Sequence, residues 1–420
     1  MSDIQAFSTS DIPAAAATPT ASGANSSALR ATPISVEIVD AMQLTGLRPA
    51  WDDLLTRADT PNVLMDPAMV QAATEAFPQT QSTVLLAWKT PADGKRQLAG
   101  IWAFSVGRPH LSAAPVRVLN APVGPHRYLA APVIDHACLD ETLHAMLDEI
   151  AARPELPKII ALEAMPIHTP TMDALQRVLT ARGSAACILE QFRRPKLVSD
   201  LDGKGYLEKA LSSSSRKKLR QHRRRLEEKG TLTSVVVTEP NAVRGALEDF
   251  MRMEAAGWKG NQGTALLCNA PHAEFMRKAV SAMSQLRCAW MHALYLDGKP
   301  VSMQIIMRAG SVAFTWKTTY DEQFQDFSPG MLLLEDYTTS FLADKSIAAV
   351  DSCAHNDSGY MSAWTDRQLI ADIWIDAERG GSMAFRVLSL LQKRYRDARA
   401  ATKSAHLALQ NWRKRQNSKG

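Results

Sequence analysis

The chain has 420 residues, 46% hydrophobic and 22% charged, with a net charge of +5, which is the composition of a soluble globular protein and a length that favours two domains plus tails. Five cysteines are scattered singly without metal-ligand spacing, so we expect neither a disulfide framework nor a bound metal. No apolar run approaches the roughly 18 residues that span a bilayer, and the first residues lack the pattern of a signal peptide, which favours a cytoplasmic location.

Residues 1–33 are rich in Ala, Ser, Thr and Pro and predict a disordered leader, because such a segment buries too little apolar surface to become ordered. Residues 34–194 show a mixed pattern of helices and strands, which predicts an N-terminal domain. Pro67 is typical of the first turn of a helix, Asp93-Gly94 of a hairpin and Gly183 of a helix end.

Residues 195–380 repeat this theme and predict a C-terminal domain, followed by a basic helix or tail at 381–420. An antiparallel meander beside a strand–helix–strand crossover implies a mixed α/β sheet. The first half has a hairpin and a crossover of its own, so the order of elements alone favours two tandem copies of one unit. In the second half we predict helices at 206–229, 241–256, 271–283 and 329–343, and strands at 232–237, 290–296, 301–307, 312–319, 348–354 and 368–375.

The first segment that could carry chemistry is the basic stretch 212–229, with eight Lys/Arg and two Glu. Such a helix attracts a polyanion, either RNA or the phosphates of coenzyme A. It is equally a solvated helix that buries a stripe of leucines. Arg216, at the head of the helix, is the predicted ligand contact.

The second segment is a glycine-punctuated loop after a helix, in which Trp258 and Lys259 stand between Gly257 and Gly260. A loop Trp offers a ligand a flat apolar wall, and glycines allow close approach of the backbone. The same spacing fits a helix end with its Trp packed into the core, so both interpretations stay open.

The third segment opens a helix with Ser328-Pro329-Gly330-Met331, after a strand that carries Trp316 and Tyr320. Unpaired amides at a helix N-terminus, with the helix dipole behind them, form a seat for phosphate. Ser-Pro-Gly is also an ordinary helix start.

The fourth segment follows a short strand and contains Asp351, Cys353 and His355, with Trp364 and Arg367 downstream. His355 has the side chain of a general base near neutral pH, and Asp351 could orient it or hold an amine. Cys353 is interpreted as a small buried hydrophobe rather than a nucleophile.

These segments, in this order, resemble the CelD-like branch of the GNAT superfamily, an acetyltransferase domain related to the FemA and FemX peptidoglycan aminoacyltransferases. The resemblance covers about residues 195–375. The matching stretches are Ser215–Arg220 with Arg224–Leu226, Glu254–Gly260 with Gly263–Ala265, Leu296–Val301, Tyr320-Asp321 with Ser328–Gly330, and Asp351–Ala354 with Trp364 and Arg367.

The resemblance implies a GNAT fold and transfer of an acetyl or other acyl group from acyl-CoA to an amine or hydroxyl. The acceptor is expected to be a small molecule or saccharide, in polysaccharide or cell-envelope metabolism. The pantetheine arm would lie between the strands at 312–319 and 350–354, with the pyrophosphate at the helix opened by Ser328. The usual GNAT loop carries more than one glycine there, whereas this chain has Gly330 alone.

The residue roles that follow are predictions. Asp351 or His355 would act as the base and Tyr320 as the acid. Acetyl-CoA, without any metal, would contact Arg216, Trp316, Ser328, Pro329, Gly330 and Met331, and the substrate would contact Trp258, Lys259, Trp364 and Arg367.

Three alternatives remain at this stage. A Fem-type transferase would use aminoacyl-tRNA, a less favoured donor that would give the basic helix a role. A non-catalytic GNAT-fold scaffold would serve cellulose or exopolysaccharide biosynthesis. An RNA-binding protein would use the helices at 216–225 and 394–414, although the first lacks interleaved aromatic residues. The acceptor, the acyl length and the oligomeric state are not encoded in any pattern that we recognise.

Overall fold

The computed structural model describes residues 33–91, 94–109, 112, 116–357 and 359–417, with side chains as far as Thr402 in the last helix. The predicted leader therefore lies outside the described residues except for Pro33, and so does Asp93 of the first predicted hairpin.

The described residues form one mixed sheet of 13 strands in the order β1-β2-β3-β4-β6-β13-β7-β12-β11-β10-β9-β8, with β5 paired to β3. The strands are β1 Ile34–Val39, β2 Ser82–Lys89, β3 Gln97–Gly107, β4 Val118–Ala121, β5 Val133–Ile134, β6 Ile159–Pro166, β7 Ala186–Leu197, β8 Leu232–Val237, β9 Ala289–Leu296, β10 Lys299–Ala309, β11 Val312–Tyr320, β12 Ala349–Asp351 and β13 Asp366–Asp376.

Helices cover both faces of this sheet. On β10, Met303, Ile305 and Met307 join one core cluster, whereas Ile306 joins a second cluster with α10, as alternation along a strand requires. The helices are α1 Arg48–Leu55, α2 Pro67–Ala76, α3 Leu139–Ala152, α4 Pro170–Arg182, α5 Gly203–Ala210, α6 Ser213–Glu227, α7 Pro240–Ala256, α8 Trp258–Asn261, α9 Ala270–Gln285, α10 Pro329–Ala343 and α11 Met383–Asn417.

The two halves of the sheet repeat one topology. In the first half the meander β2-β3-β4 is followed by α3 and by β6, which pairs in parallel with β4. In the second half β9-β10-β11 is followed by α10 and by β12, which pairs in parallel with β11. The repeated unit expected from the order of elements is therefore present.

The halves exchange their last strands. β13, from the C-terminal half, lies between β6 and β7, while β7, from the N-terminal half, lies between β13 and β12. The predicted boundary at 194/195 falls within β7, and the domain limits remain predictions.

Most predicted elements are present, with two clear differences. The helix predicted at 206–229 is two helices, because Ser212 caps α6 by accepting a 3.1 Å hydrogen bond from the Ser215 N–H. The strand predicted at 348–354 is only β12, which ends at Asp351. Within the described ranges, no helix is both long and apolar enough to cross a membrane.

Candidate functional site

A groove of about 400 Å³ lies at the head of α10, between the end of β11 and the end of α7. We call it the α10 groove. It brings together seven of the predicted site residues, which come from three separate segments of the sequence. They are Trp258, Lys259, Tyr320, Ser328, Pro329, Gly330 and Met331.

The head of α10 is not closed by its own side chain. Ser328 precedes the helix with φ of 51°, in the left-handed region, and its side chain makes no capping hydrogen bond. A left-handed non-glycine residue is strained by about 1–2 kcal/mol, and such strain is concentrated at functional sites. A Cβ added at Gly330 would meet no atom within 4 Å, so there is open space beside the helix head. These features suit a phosphate group.

The end of α7 is fixed by Glu254, a buried carboxylate. It accepts a 2.7 Å bond from Lys259 Nζ and a 2.8 Å bond from the Leu266 N–H. At Gly260 an added Cβ would lie 1.7 Å from the Ala255 carbonyl oxygen, so this position requires glycine. The Gly-Trp-Lys-Gly motif thus has a structural cause, and it leaves the Trp258 side chain half exposed at the groove.

Lys317 is a half-buried lysine on β11, next to a β-bulge at Trp316. No hydrogen bond or ion pair joins its amine to another described residue. Burial, reinforced by the nearby charge of Lys259 and opposed by Glu254, lowers the pKa of Lys317 to about 8. A lysine with this pKa is partly neutral at physiological pH and can accept a proton.

A larger cavity of about 910 Å³ lies in the first half, next to the point where the β4–β6 pairing ends. We call it the first-half cavity. Arg127 and Glu163 form a 2.5 Å ion pair in its wall, with Asp372 from β13 nearby. His126 and His272 also line it, with ring centroids 5.0 Å apart.

Lys317 is in the lining of neither space, but its charge is coupled to residues of both. It acts electrostatically on His126 and His272, which line the first-half cavity, and on Glu254, which lines the α10 groove. Burial first, and then Lys317, lower the pKa of His126 to about 2 and that of His272 below its usual value. Both imidazoles are therefore neutral neighbours of the lysine.

The two predicted bases, Asp351 and His355, do not line the α10 groove. Asp351 is buried, and its carboxylate lies 3.3 Å from Arg194 Nη1 and accepts a 2.7 Å bond from the Cys353 N–H. His355 is exposed and lines the first-half cavity instead. Their assignment as base remains a prediction.

Four other predicted contacts lie away from the groove lining. Trp364 is buried, with Nε1 2.9 Å from Thr338 Oγ1, and Arg367 pairs with Asp357 at 2.5 Å. Trp316 is buried against Phe275 and Tyr128 in the core. Arg216 forms a 3.4 Å ion pair with Glu208, whereas its helix neighbours Lys218 and His222 line a space that shares Ser328 and Met331 with the groove.

Tyr360 marks the opening between β11 and β12. The two strands pair only as far as Phe314 and Asp351, and Tyr360 lies near Thr318 on β11 and Tyr337 on α10. Burial raises the pKa of Tyr360 to about 12. Tyr360 also lines the α10 groove.

Sequence reasoning missed Lys317, Tyr360 and two of the histidines that line the first-half cavity, His126 and His272. A charged Lys317 in an apolar strand was the one available signal, because a central strand rarely buries a lysine. Tyr360 and His126 carry no local signal, since their neighbours come from distant parts of the chain.

Comparison with known proteins identifies the fold. Residues 213–360 match the family described as acetyltransferase (GNAT) domain. A sequence comparison with curated proteins found no match. Among solved structures, the chain is similar to FemX, with a TM-score of 0.54 and 12% identity over 84% of this chain and 100% of that chain.

Two further structures are similar over most of the chain. One is the C-terminal domain of a putative lysylphosphatidylglycerol synthetase from Agrobacterium fabrum, with a TM-score of 0.47 and 13% identity, covering 82% of this chain and 94% of that one. The other is a tandem GNAT protein from the clavulanic acid pathway, with a TM-score of 0.39 and 15% identity, covering 82% and 98%. The GNAT match encloses the α10 groove from α6 to Tyr360, so residues 213–360 of this chain match the acetyltransferase (GNAT) domain family, and the chain is similar in fold to FemX.

Proposed function

We propose that this chain transfers an acyl group from acyl-CoA, bound at the α10 groove, to an amine or hydroxyl of an acceptor in the first-half cavity. The observation that carries the proposal is the open helix head, where strained Ser328 and unobstructed Gly330 meet the groove. The GNAT match over the same residues supports an acyl donor.

The donor phosphates would bind at the α10 head. Ser328 offers a hydroxyl and Gly330 an amide without a partner in the described chain, while Lys218 and His222 approach from α6. When bound, acyl-CoA supplies an activated carbonyl, so the chain need only position the partners and handle protons. Tyr320 and Trp258 would flank the donor at the mouth of the groove.

Lys317 is the proposed proton acceptor. Its pKa of about 8 is near the operating range of a general base, and its charge is coupled to Glu254 in the donor groove and to His126 and His272 in the acceptor cavity. The neutral amine would take the proton of the attacking amine or hydroxyl as that group bonds to the acyl carbon. The carbon–sulfur bond of the thioester would then break, and the lysine ammonium would return the proton to the leaving coenzyme A thiolate. The same position would let its ammonium stabilise negative charge that develops during transfer.

The acceptor would be a polar molecule such as a saccharide. The paired side chains of Arg127 and Glu163 can each form a hydrogen bond with a hydroxyl group of the acceptor. Because their charges cancel, the pair does not favour a charged acceptor. Phe77 and Phe192 add apolar walls to the first-half cavity. Mixed polar and aromatic linings are usual for small-molecule sites.

Donor binding is tested with two glycine variants, because neither Gly330 nor Gly245 has an atom within 4 Å of an added Cβ. Gly330→Val should weaken acetyl-CoA binding about tenfold, which is roughly 1.4 kcal/mol, by filling the helix head. Gly245→Val, on an exposed part of α7, should leave binding unchanged. Isothermal titration measures both.

The same titration with coenzyme A and with aminoacyl-tRNA separates the donors. A Fem-type enzyme would bind the tRNA. Neither the wild-type protein nor Gly330→Val would then bind acetyl-CoA. Failure of wild-type protein to bind any CoA species would refute the acyl-CoA proposal.

A further inference from the structure

α11 has a buried face and an apolar exposed face. Phe385, Ser389, Gln392 and Arg396 are buried against the body, and Arg396 pairs with Asp372 of β13. The exposed side chains are Met383 at 69%, Val387 at 52%, Leu390 at 46% and Leu391 at 57%.

These four exposed residues form one stripe. Their spacing of i, i+4, i+7 and i+8 places them on the side of the helix opposite the buried face. Single exposed apolar residues are common on proteins, whereas a contiguous patch marks an interaction surface. We call these residues the α11 stripe.

The charge of α11 identifies a partner. Met383–Asn417 contains nine Lys/Arg and one Asp, and Arg386, Lys393 and Arg394 are exposed near the stripe. A helix with an apolar face and a strongly basic composition binds in the plane of an anionic membrane surface. We propose that α11 docks this chain peripherally on an anionic phospholipid surface through the α11 stripe.

A second copy of the chain fits this face less well. A coiled coil would continue the 4-3 spacing of Met383, Val387 and Leu390 along the helix. The next two positions of that seam are Arg394 and Asp397, which are charged. RNA also fits less well, because the centre of the surface is aliphatic rather than aromatic or charged.

The test uses full-length protein and sedimentation with phosphatidylcholine vesicles, with or without phosphatidylglycerol. Wild-type protein should bind the vesicles that contain phosphatidylglycerol, and added salt should weaken this binding. Leu391→Glu should reduce binding at least tenfold. Ala400→Glu, an equal charge change at another exposed position of α11, should reduce it less than threefold.

Four outcomes would overturn the proposal. The first is that wild-type protein fails to sediment with anionic vesicles, and the second is that Leu391→Glu binds them as well as wild type. The third is a wild-type dimer in light scattering that Leu391→Glu converts to a monomer, which would assign the stripe to a second copy. An RNA oligonucleotide that binds wild type and Leu391→Glu equally, while vesicles bind neither, would assign the charge to nucleic acid. Circular dichroism confirms that each variant is folded.

Discussion

The two halves of the sheet open at equivalent places but hold different chemistry. In the first half the β4–β6 pairing ends beside a cavity of about 910 Å³ walled by ion pairs. In the second half the β11–β12 pairing ends at Phe314 and Asp351, and the accessible space lies around the head of α10. One topology therefore supports two kinds of site, because the side chains and not the strand order determine what each opening binds.

The exchanged strands connect the residues around the two openings. β7 carries Arg194, whose buried guanidinium bonds to the Tyr128 carbonyl at 2.6 Å, to the Ala354 carbonyl at 2.8 Å and to Asp351. These partners come from both halves. If the two halves folded independently, losing the contacts of Arg194 would not change the stability of the protein.

Replacing Arg194 should produce the largest effect. Arg194→Leu leaves the Asp351 carboxylate buried without its ion-pair partner, and breaking a buried pair costs about 3–5 kcal/mol. Arg193→Leu, at the neighbouring exposed position, should change the free energy of unfolding by less than about 0.5 kcal/mol. Urea unfolding measures both. Equal small effects would show that the two halves are not joined through this residue.

Replacing Lys317 tests the proposed link between donor and acceptor. Lys317→Met and Lys317→Arg should each lower kcat/KM about 100-fold, because neither side chain can act as a base near neutral pH. Wild-type kcat/KM should rise with pH through about 8, as the amine becomes neutral, and this rise should disappear in both variants. Lys299→Met, at an exposed position on β10, is the matched control.

Replacing Lys317 should lower activity but raise the free energy of unfolding. The folded pKa of Lys317 is lowered to about 8, so below that pH the fold holds a poorly solvated ammonium. Between about pH 8 and 10.5 the unfolded chain binds more protons than the folded one, and stability rises with pH. Lys317→Met should therefore stabilise the fold by roughly 2 kcal/mol at pH 7, and by less at pH 10. A variant that is both more stable and less active cannot owe its lost activity to unfolding.

Local sequence patterns predicted much of the fold because local forces set those elements. Pro329 at a helix start and the adjacent strands at 290–296 and 301–307 appear as expected, and the turn between these strands has positive φ at Asp297 and Gly298. The break at Ser212 was missed because a serine run was included in a helix, although serine favours a cap. The exchange of β7 and β13 has no local signal, since pairing partners lie far apart in the sequence.

Only the part of the candidate site that local sequence motifs determine was predicted. Glycines and Ser328 are recognisable from motifs, and they do meet in the α10 groove. Asp351 illustrates the limit, because its pairing with Arg194 depends on a strand exchanged between the halves. Lys317 and His126 likewise become neighbours only after the halves join.

The smallest expected effect concerns His355, which lies at the first-half cavity, away from the α10 groove. If Lys317 is the base, His355→Gln should lower kcat/KM less than threefold and leave the rise through about pH 8 intact. If His355 is the base, as the sequence suggested, His355→Gln should instead lower kcat/KM about 100-fold, and Lys317→Met should lower it less than threefold. Kinetics of the two variants therefore decide which residue supplies the base, since His355 lines the first-half cavity whereas Lys317 does not.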